Sequence, residues 1–396
     1  MPFPQLQGGS GLEVQPIEAP SHELTKQDKG ERPRIFLTTV KIPDDHIWAN
    51  GLFQNVYIIY KMFDSMGYEP WLLVDNMENN MEAKIHSKFR MIDFKTYANA
   101  PFQIASYIEI AMSCDPGIRK LFRSMGAKTS KTYLGNILNI DIETVTYYRE
   151  VHFSHHVAGE LDEIFVSPHY DFHAEYAGSI NGICGKTRIA PYVWEPIFLE
   201  NIGASYNGSG LPEDAPRNFI IMEPNISFQK NALIPILALE AYYRKHPSRI
   251  DQIVVVNGAK LKDNGYFATS ILPNLTVYAA GKLHLMPRAH MINIVKVYTN
   301  AIVLQHQVNN SYNYSFLEWM TLGYPVVHNI ARFKEYGYYY DSNNFDAAAE
   351  QIERVVASHE QNKETYAAHI KQLSWQFSIY NPKNTEIWRK LAFERN

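Results

Sequence analysis

Residues 34–74 read RIFLTTVKIPDDHIWANGLFQNVYIIYKMFDSMGYEPWLLV. The stretch opens with a short β-rich run at 34–40 and closes with a second one at 69–74. Between them, a loop at 43–51 leads into residues 52–63, which read as a helix ended by Gly67. Strand, helix and strand in that order form a βαβ unit, and such a unit implies parallel strands.

The alternation extends outward from this unit. Residues 102–112 read as a helix, and 161–167 and 188–193 as strands. Order weakens in ENIGASYNGSGLPEDAP, 200–216, which reads as a linker. A second alternation follows, with strands predicted at 218–222, 252–256, 275–278, 301–304 and 325–327. Helices are predicted at 232–244, 288–298, 314–322, 346–358 and 361–374. No repeat of fixed period appears. The pattern gives an α/β protein of two consecutive βαβ domains, as the length of 396 residues also suggests, since single cores stop growing near ~250–300 residues. The expected division is a flexible tail at 1–32, an N-terminal domain at 33–200, a linker at 201–217 and a C-terminal domain at 218–378. A last helix at 379–396 is expected to cross back to the first domain.

Composition excludes several classes. A net charge of −4 supplies no field for nucleic acid or an anionic membrane. Two cysteines make no disulfide framework and suit a reducing compartment. No apolar run reaches the ~18–20 residues of a membrane span. The start, MPFPQLQGGSGLEVQPIEAP, lacks the pattern of a signal peptide. A cytoplasmic protein is the expectation. Aromatic residues reach 13%, which suits either a tyrosine-rich core or a carbohydrate-facing cleft.

The segment NNSYNYSFLEWMTLGYPVVHN, 309–329, carries the chemistry. A loop leads into a helix beginning near Tyr312–Tyr314, and free N–H groups at a helix start bind anions. Tyr312, Asn313, Tyr314 and Ser315 would line a diphosphate. Glu318, a turn further in, would accept hydrogen bonds from the two hydroxyls of a ribose. Together they make a physically coherent nucleotide site.

Leu317-Glu318-Trp-Met-Thr-Leu-Gly323-Tyr-Pro325-Val-Val resembles the EAMAxGxPVV signature of retaining glycosyltransferases of the GT-B fold. The resemblance implies two Rossmann-like domains facing across a cleft, with Glu318 closing an E-x7-E motif and holding the donor's ribose. The first glutamate of that motif falls on Asn310, which would contact the sugar ring. The run equivalent to a GRLxxxKG pattern is Glu223-Pro-Asn225-Ile-Ser-Phe-Gln-Lys230-Asn231, so that Lys230 would hold the diphosphate and Asn225 stands where the family has arginine. Arg288 is a candidate for the missing positive charge. The glycine-rich turn of the first domain matches IWANGLFQN, with Gly51 and Asn55 approaching the donor phosphate or the acceptor. The match covers most of 34–380 and is similar to a divergent branch found in bacteria and large algal viruses.

The resemblance implies transfer from a UDP- or GDP-sugar to a glycan or other hydroxyl acceptor, without a metal or other cofactor. His152, His155 and His156 cluster, as do His169 and His173, but no H-E-x-x-H or C-x-x-C accompanies them. His155 and His156 are candidates for contacting a sugar, and no metal site is expected. The asparagines at 225 and 310 leave room for a non-catalytic protein of the same shape that binds a sugar nucleotide or glycan; a same-fold epimerase is a third option.

Overall fold

Residues 34–38 form a strand buried along most of its length, as befits a parallel sheet covered on both faces. The computed structural model of the protein describes residues 32–39, 51–75, 77, 88–110, 112–147, 156–200, 202–212 and 214–395. The chain divides into two units, Met1–Trp194 with Phe377–Asn396, and Glu195–Gln376.

The first unit holds a seven-stranded sheet. Its strands are β1 (Arg34–Thr38), β2 (Glu69–Val74), β3 (Met91–Asp93), β4 (Ser106–Glu109), β5 (Lys128–Tyr133), β6 (Glu163–Val166) and β7 (Thr187–Ile189). Their order is β3-β2-β1-β4-β5-β6-β7, and neighbours run parallel. The second unit has β8 (Arg217–Met222), β9 (Ile250–Val256), β10 (Leu283–Leu285), β11 (Ile302–Gln305), β12 (Val326–His328) and β13 (Tyr338–Tyr339). They pair in the order β10-β9-β8-β11-β12-β13, again all parallel. Both sheets follow the doubly wound plan, in which the strand order reverses beside the first strand. Ligands of such sheets bind beyond the carboxyl ends of the strands at that reversal.

The last helix, Pro382–Phe393, belongs to the first unit. Trp388 is fully buried there, donates through Nε1 to Pro191 O at 2.9 Å, and meets Phe63 and Phe165 edge-on. Phe393 stacks on Tyr68 with ring centres 4.4 Å apart.

Two predicted elements are corrected. Residues 102–112 contain β4, not a helix. All four residues of β4 are buried, with β1 on one side and β5 on the other, so the run has no two-residue alternation to distinguish it from a buried helix. Residues 275–278 lie mostly in the helix Thr276–Ala279, not in a strand. The buried Glu240 carboxylate decides this by accepting from the N–H groups of Thr276 (2.9 Å) and Val277 (3.0 Å), two donors that a helix start leaves open. The sequence reading also passes over β5, Lys-Thr-Ser-Lys-Thr-Tyr, whose six residues are all buried.

Candidate functional site at the reversal of the second sheet

Strand order reverses between β8 and β11. The chain leaves β8 through Glu223-Pro-Asn225-Ile-Ser-Phe-Gln-Lys230 and leaves β11 through His306-Gln307-Val-Asn309-Asn310. These loops are bonded to each other. Val308 N donates to Gln229 O at 3.2 Å, and Gln307 Nε2 donates to Glu223 Oε1 at 3.0 Å. Gln307 Oε1 in turn accepts from Asn310 Nδ2 at 3.0 Å. Asn329, just after β12, fixes the Gln307 backbone by accepting from its N–H (2.7 Å) and donating to its carbonyl (2.9 Å). Glu223, Gln307 and Asn310 thus form one chain of side-chain hydrogen bonds.

Asn225 has φ +52°, a left-handed conformation that asparagine tolerates better than most residues. Its Nδ2 donates to Glu223 O and to Asn257 O, both at 3.2 Å, and its Oδ1 accepts from Ala232 N at 2.8 Å. Both ends of the amide are committed to backbone, so Asn225 shapes the loop where the sequence suggested a stand-in for a cation. Asn257, also at positive φ (+64°), donates back to Pro224 O.

Glu223 is only 2% exposed. Its Oε2 has no hydrogen-bond partner among the described residues. Burial pushes its acid constant up to about 8, while the Lys230 charge and the Gln307 bond pull it down. Lys230 is partly buried, and desolvation lowers its value against the opposing pull of Glu223. Tyr340 also feels the Glu223 charge and shares a 2.9 Å bond with His306 Nδ1. Burial holds His306 down to about 4, so it is neutral near pH 7.

The helix Tyr314–Thr321 follows β11. Asn313 is its N-cap, with Oδ1 accepting from Ser315 N and its carbonyl accepting from Phe316 N at 3.1 Å. Two amides of the predicted anion site are therefore occupied by the chain itself. Ser315 Oγ accepts from Gln305 Nε2 at 2.6 Å. Tyr312 stacks on Phe333 with ring planes 10° apart and packs beside the helix; Tyr314 is half-buried. Glu318 is 7% exposed, between the buried Leu317 and Trp319. The helix ends with Gly323 N bonded to Met320 O (2.9 Å) and Tyr324 N to Trp319 O (3.0 Å), with Gly323 at φ +81°. That glycine-terminated cap explains the Gly-x-Pro part of the signature without appeal to a ligand. Arg288 is exposed in the segment after β10, whose Pro287 carbonyl accepts from Asn257 N at 3.2 Å.

The first-unit candidates have structural surroundings. Gly51 is the first residue of the helix Gly51–Ser65, and its carbonyl accepts from Asn55 Nδ2 at 3.5 Å. Asn55 is 1% exposed and packs inside. His155, like His152, lies outside the described residues. His156 is held at both ring nitrogens, Nδ1 by the Tyr133 hydroxyl (2.8 Å) and Nε2 by Asp141 Oδ2 (2.7 Å). Asp141 also accepts from the Tyr176 hydroxyl at 2.6 Å. Next to this chain, at the carboxyl end of β4, the buried Glu109 is gripped by Arg119 at 2.7 and 2.8 Å. Lys131 lies 3.9 Å from Glu109 and donates to Ser113 Oγ at 2.7 Å, with burial lowering it to about 8. Among the described residues, no group of three or more His, Cys, Asp or Glu is placed to hold a metal ion, and no helix is long and apolar enough to cross a membrane.

The sequence singled out neither Glu223 nor Gln307 as a site residue. Their signal was position: each follows directly, or within two residues, the end of a strand flanking the reversal.

The two parallel α/β sheets place the protein in the GT-B fold class. Over 91% of its length it matches the sucrose-phosphate synthase of Thermosynechococcus elongatus, with TM-score 0.54, 13% identity and 99% of that chain covered. It matches TarM of S. aureus, solved with fondaparinux, α-GlcNAc-glycerol and UDP, with TM-score 0.56, 10% identity and 91% and 99% of the two chains covered. An E. coli trehalose-6-phosphate structure bound with UDP-2-fluoro glucose matches with TM-score 0.55 at 11% identity, over 91% of this chain and 99% of that one. No curated protein matches the sequence. The chain belongs to the family described as "Protein of unknown function (DUF2827)", whose model matches residues 35–392.

Proposed function

We propose that the protein transfers a sugar from a nucleoside diphosphate sugar, with UDP or GDP as the carrier, to a hydroxyl of a glycan or other acceptor. One observation carries this reading. The loops leaving β8 and β11 bond to each other at the reversal of the second sheet, and they bring Lys230, Gln307 and Asn310 to the edge where such sheets bind nucleotides. The solved structures of like fold include proteins bound to UDP and to a UDP-sugar analogue, which supports the nucleotide assignment.

In this scheme Lys230 holds the diphosphate and steadies the charge that develops as it departs. A preorganised cation at the leaving group needs no rearrangement during reaction. Asn310, held by Gln307, offers its amide to the sugar's hydroxyls, and Glu318 takes the ribose. Transfer with retention and independence from added metal are part of the proposal, drawn from the likeness of 317–327 to the retaining signature.

The test is donor hydrolysis. The protein is incubated with UDP- and GDP-sugars, with and without EDTA, and released nucleoside diphosphate is measured. Release from one donor, lost in Lys230→Ala, supports the scheme. Binding of donors without release, in the presence of a range of glycan acceptors, overturns it.

A further inference from the structure

Glu223 has no part in the scheme above, yet its buried carboxyl belongs to the loop that carries Lys230, bonded to Gln307 on one oxygen and without a hydrogen-bond partner among the described residues on the other. Lys230 closes the same loop, whose end is tightened by the Ser227–Lys230 bridge, and remains partly exposed. One group is sealed in and the other is within reach of a ligand. Gln307 from the loop after β11 bonds Glu223, Lys230 from its own loop acts on it through its charge, and Tyr340, just after β13, feels the carboxylate charge. Of these only Lys230 is a cation, and His306, bonded to Tyr340, is neutral near pH 7.

A buried carboxylate is tolerated while a counter-charge is near. A diphosphate arriving at Lys230 changes that balance. Its negative charges hold the ammonium more tightly and repel the carboxylate behind it. The unpartnered Oε2 is the open place for a proton. We propose that Glu223 is the positioning residue of the diphosphate subsite: the fraction of it that is ionised while the site is empty serves as counter-ion to Lys230, and that fraction takes a proton from solvent when a diphosphate engages the lysine. The proton forms an O–H bond on Glu223, and Lys230 keeps its full charge for the ligand. Burial raises the acid constant of Glu223 to about 8, so the carboxyl is mostly protonated at neutral pH and the exchange is read near pH 8, where part of it is ionised. The inference rests on Lys230 as the diphosphate ligand.

Calorimetric titration of the full chain with UDP and with GDP tests it. The titrations are run near pH ~8, where a terminal phosphate, with its second ionisation near ~6, is already deprotonated. Hepes and Tris differ in ionisation heat, so proton uptake appears as a buffer-dependent binding heat. The wild type is expected to show that dependence, and Glu223→Gln to bind with the same heat in both buffers. A buffer-independent heat in the wild type overturns the role of Glu223 and leaves the nucleotide site standing. Unchanged uptake in Glu223→Gln overturns it as well, by placing the proton elsewhere. If neither nucleotide produces a binding heat or a thermal shift, the nucleotide reading fails and this inference falls with it.

Discussion

Gln307 Nε2 donates to Glu223 Oε1 at 3.0 Å across 84 residues of sequence. This bond joins the loops that leave β8 and β11, the strands on either side of the reversal in the second sheet. Because Glu223 is nearly sealed from water, the bond also supplies the only hydrogen-bond donor that its side chain has among the described residues.

Removing that donor has a predictable effect. Gln307→Leu leaves both carboxyl oxygens of Glu223 buried without a partner, a loss of about 1–3 kcal/mol. Guanidinium unfolding should show a lower midpoint at unchanged slope. Pairing it with Glu223→Leu should recover part of the loss, because two apolar groups leave nothing unsatisfied. No recovery would assign the cost to packing instead.

Stability should depend on pH through Glu223 in a defined direction. Its acid constant is raised from 4.5 to about 8, so between those values the folded chain holds a proton that the unfolded chain has released. The contribution of this group therefore falls as pH rises across that window and is smallest above about 8. Lys230, lowered from 10.5, acts in the opposite sense at higher pH: the unfolded chain holds more protons there, and stability rises again with pH. The measurement is the difference in melting temperature between Glu223→Gln and wild type at a series of pH values. It should grow in favour of the variant from pH ~5 to ~8. A flat difference would mean that Glu223 is ionised throughout.

Nucleotide affinity should separate the roles of Lys230 and Glu318. Lys230→Ala removes a charge-assisted contact worth about 1.5–3 kcal/mol, roughly ten- to a hundred-fold in the dissociation constant of UDP or GDP. Raising the salt concentration should narrow that gap. Glu318→Ala should weaken binding by about 1–3 kcal/mol, with little dependence on salt, because its partners would be neutral hydroxyls. Equal affinity of a folded Glu318→Ala protein for the nucleotide would remove the ribose from that residue.

The first unit offers a stability test of its own. Arg119 is fully buried and binds both oxygens of Glu109, while also donating to Val157 O at 2.6 Å and Gly159 O at 2.7 Å. Arg119→Met removes the nearest counter-charge of the buried carboxylate, which keeps its bonds from Tyr107 Oη and Cys114 N and has Lys131 at 3.9 Å, and should destabilise by about 3–5 kcal/mol. Combining it with Glu109→Gln should restore part of that. Circular dichroism melts of the three proteins decide the matter, and an unaltered melting temperature in Arg119→Met would contradict the buried pair.

Local patterns in the sequence determined much of the architecture. The runs that became β1, β8, β9 and β11 are apolar enough to require burial on both faces, and that alone implies a covered parallel sheet. Gly323 followed by Tyr and Pro325 marks a helix stop because only a few residues accept positive φ and proline cannot continue a helix. Lys230 and Asn310 were picked out only by the likeness to the glycosyltransferase signatures; they lie in the loops that leave β8 and β11.

Only tertiary structure decided the rest. β5 is a polar sequence whose lysines are buried because Glu163 meets Lys128 at 2.7 Å and Ser113 and Glu109 meet Lys131. The helix Thr276–Ala279 exists where Glu240 caps it, 36 residues upstream. Asn225, promising as a ligand in the sequence, spends its amide on backbone, whereas Glu223 becomes a sealed carboxyl bonded to Gln307. Periodicity and dihedral preference are properties of neighbouring residues and so are written in the chain. The charge, burial and bonding of a side chain depend on partners that the strand order brings from far along it.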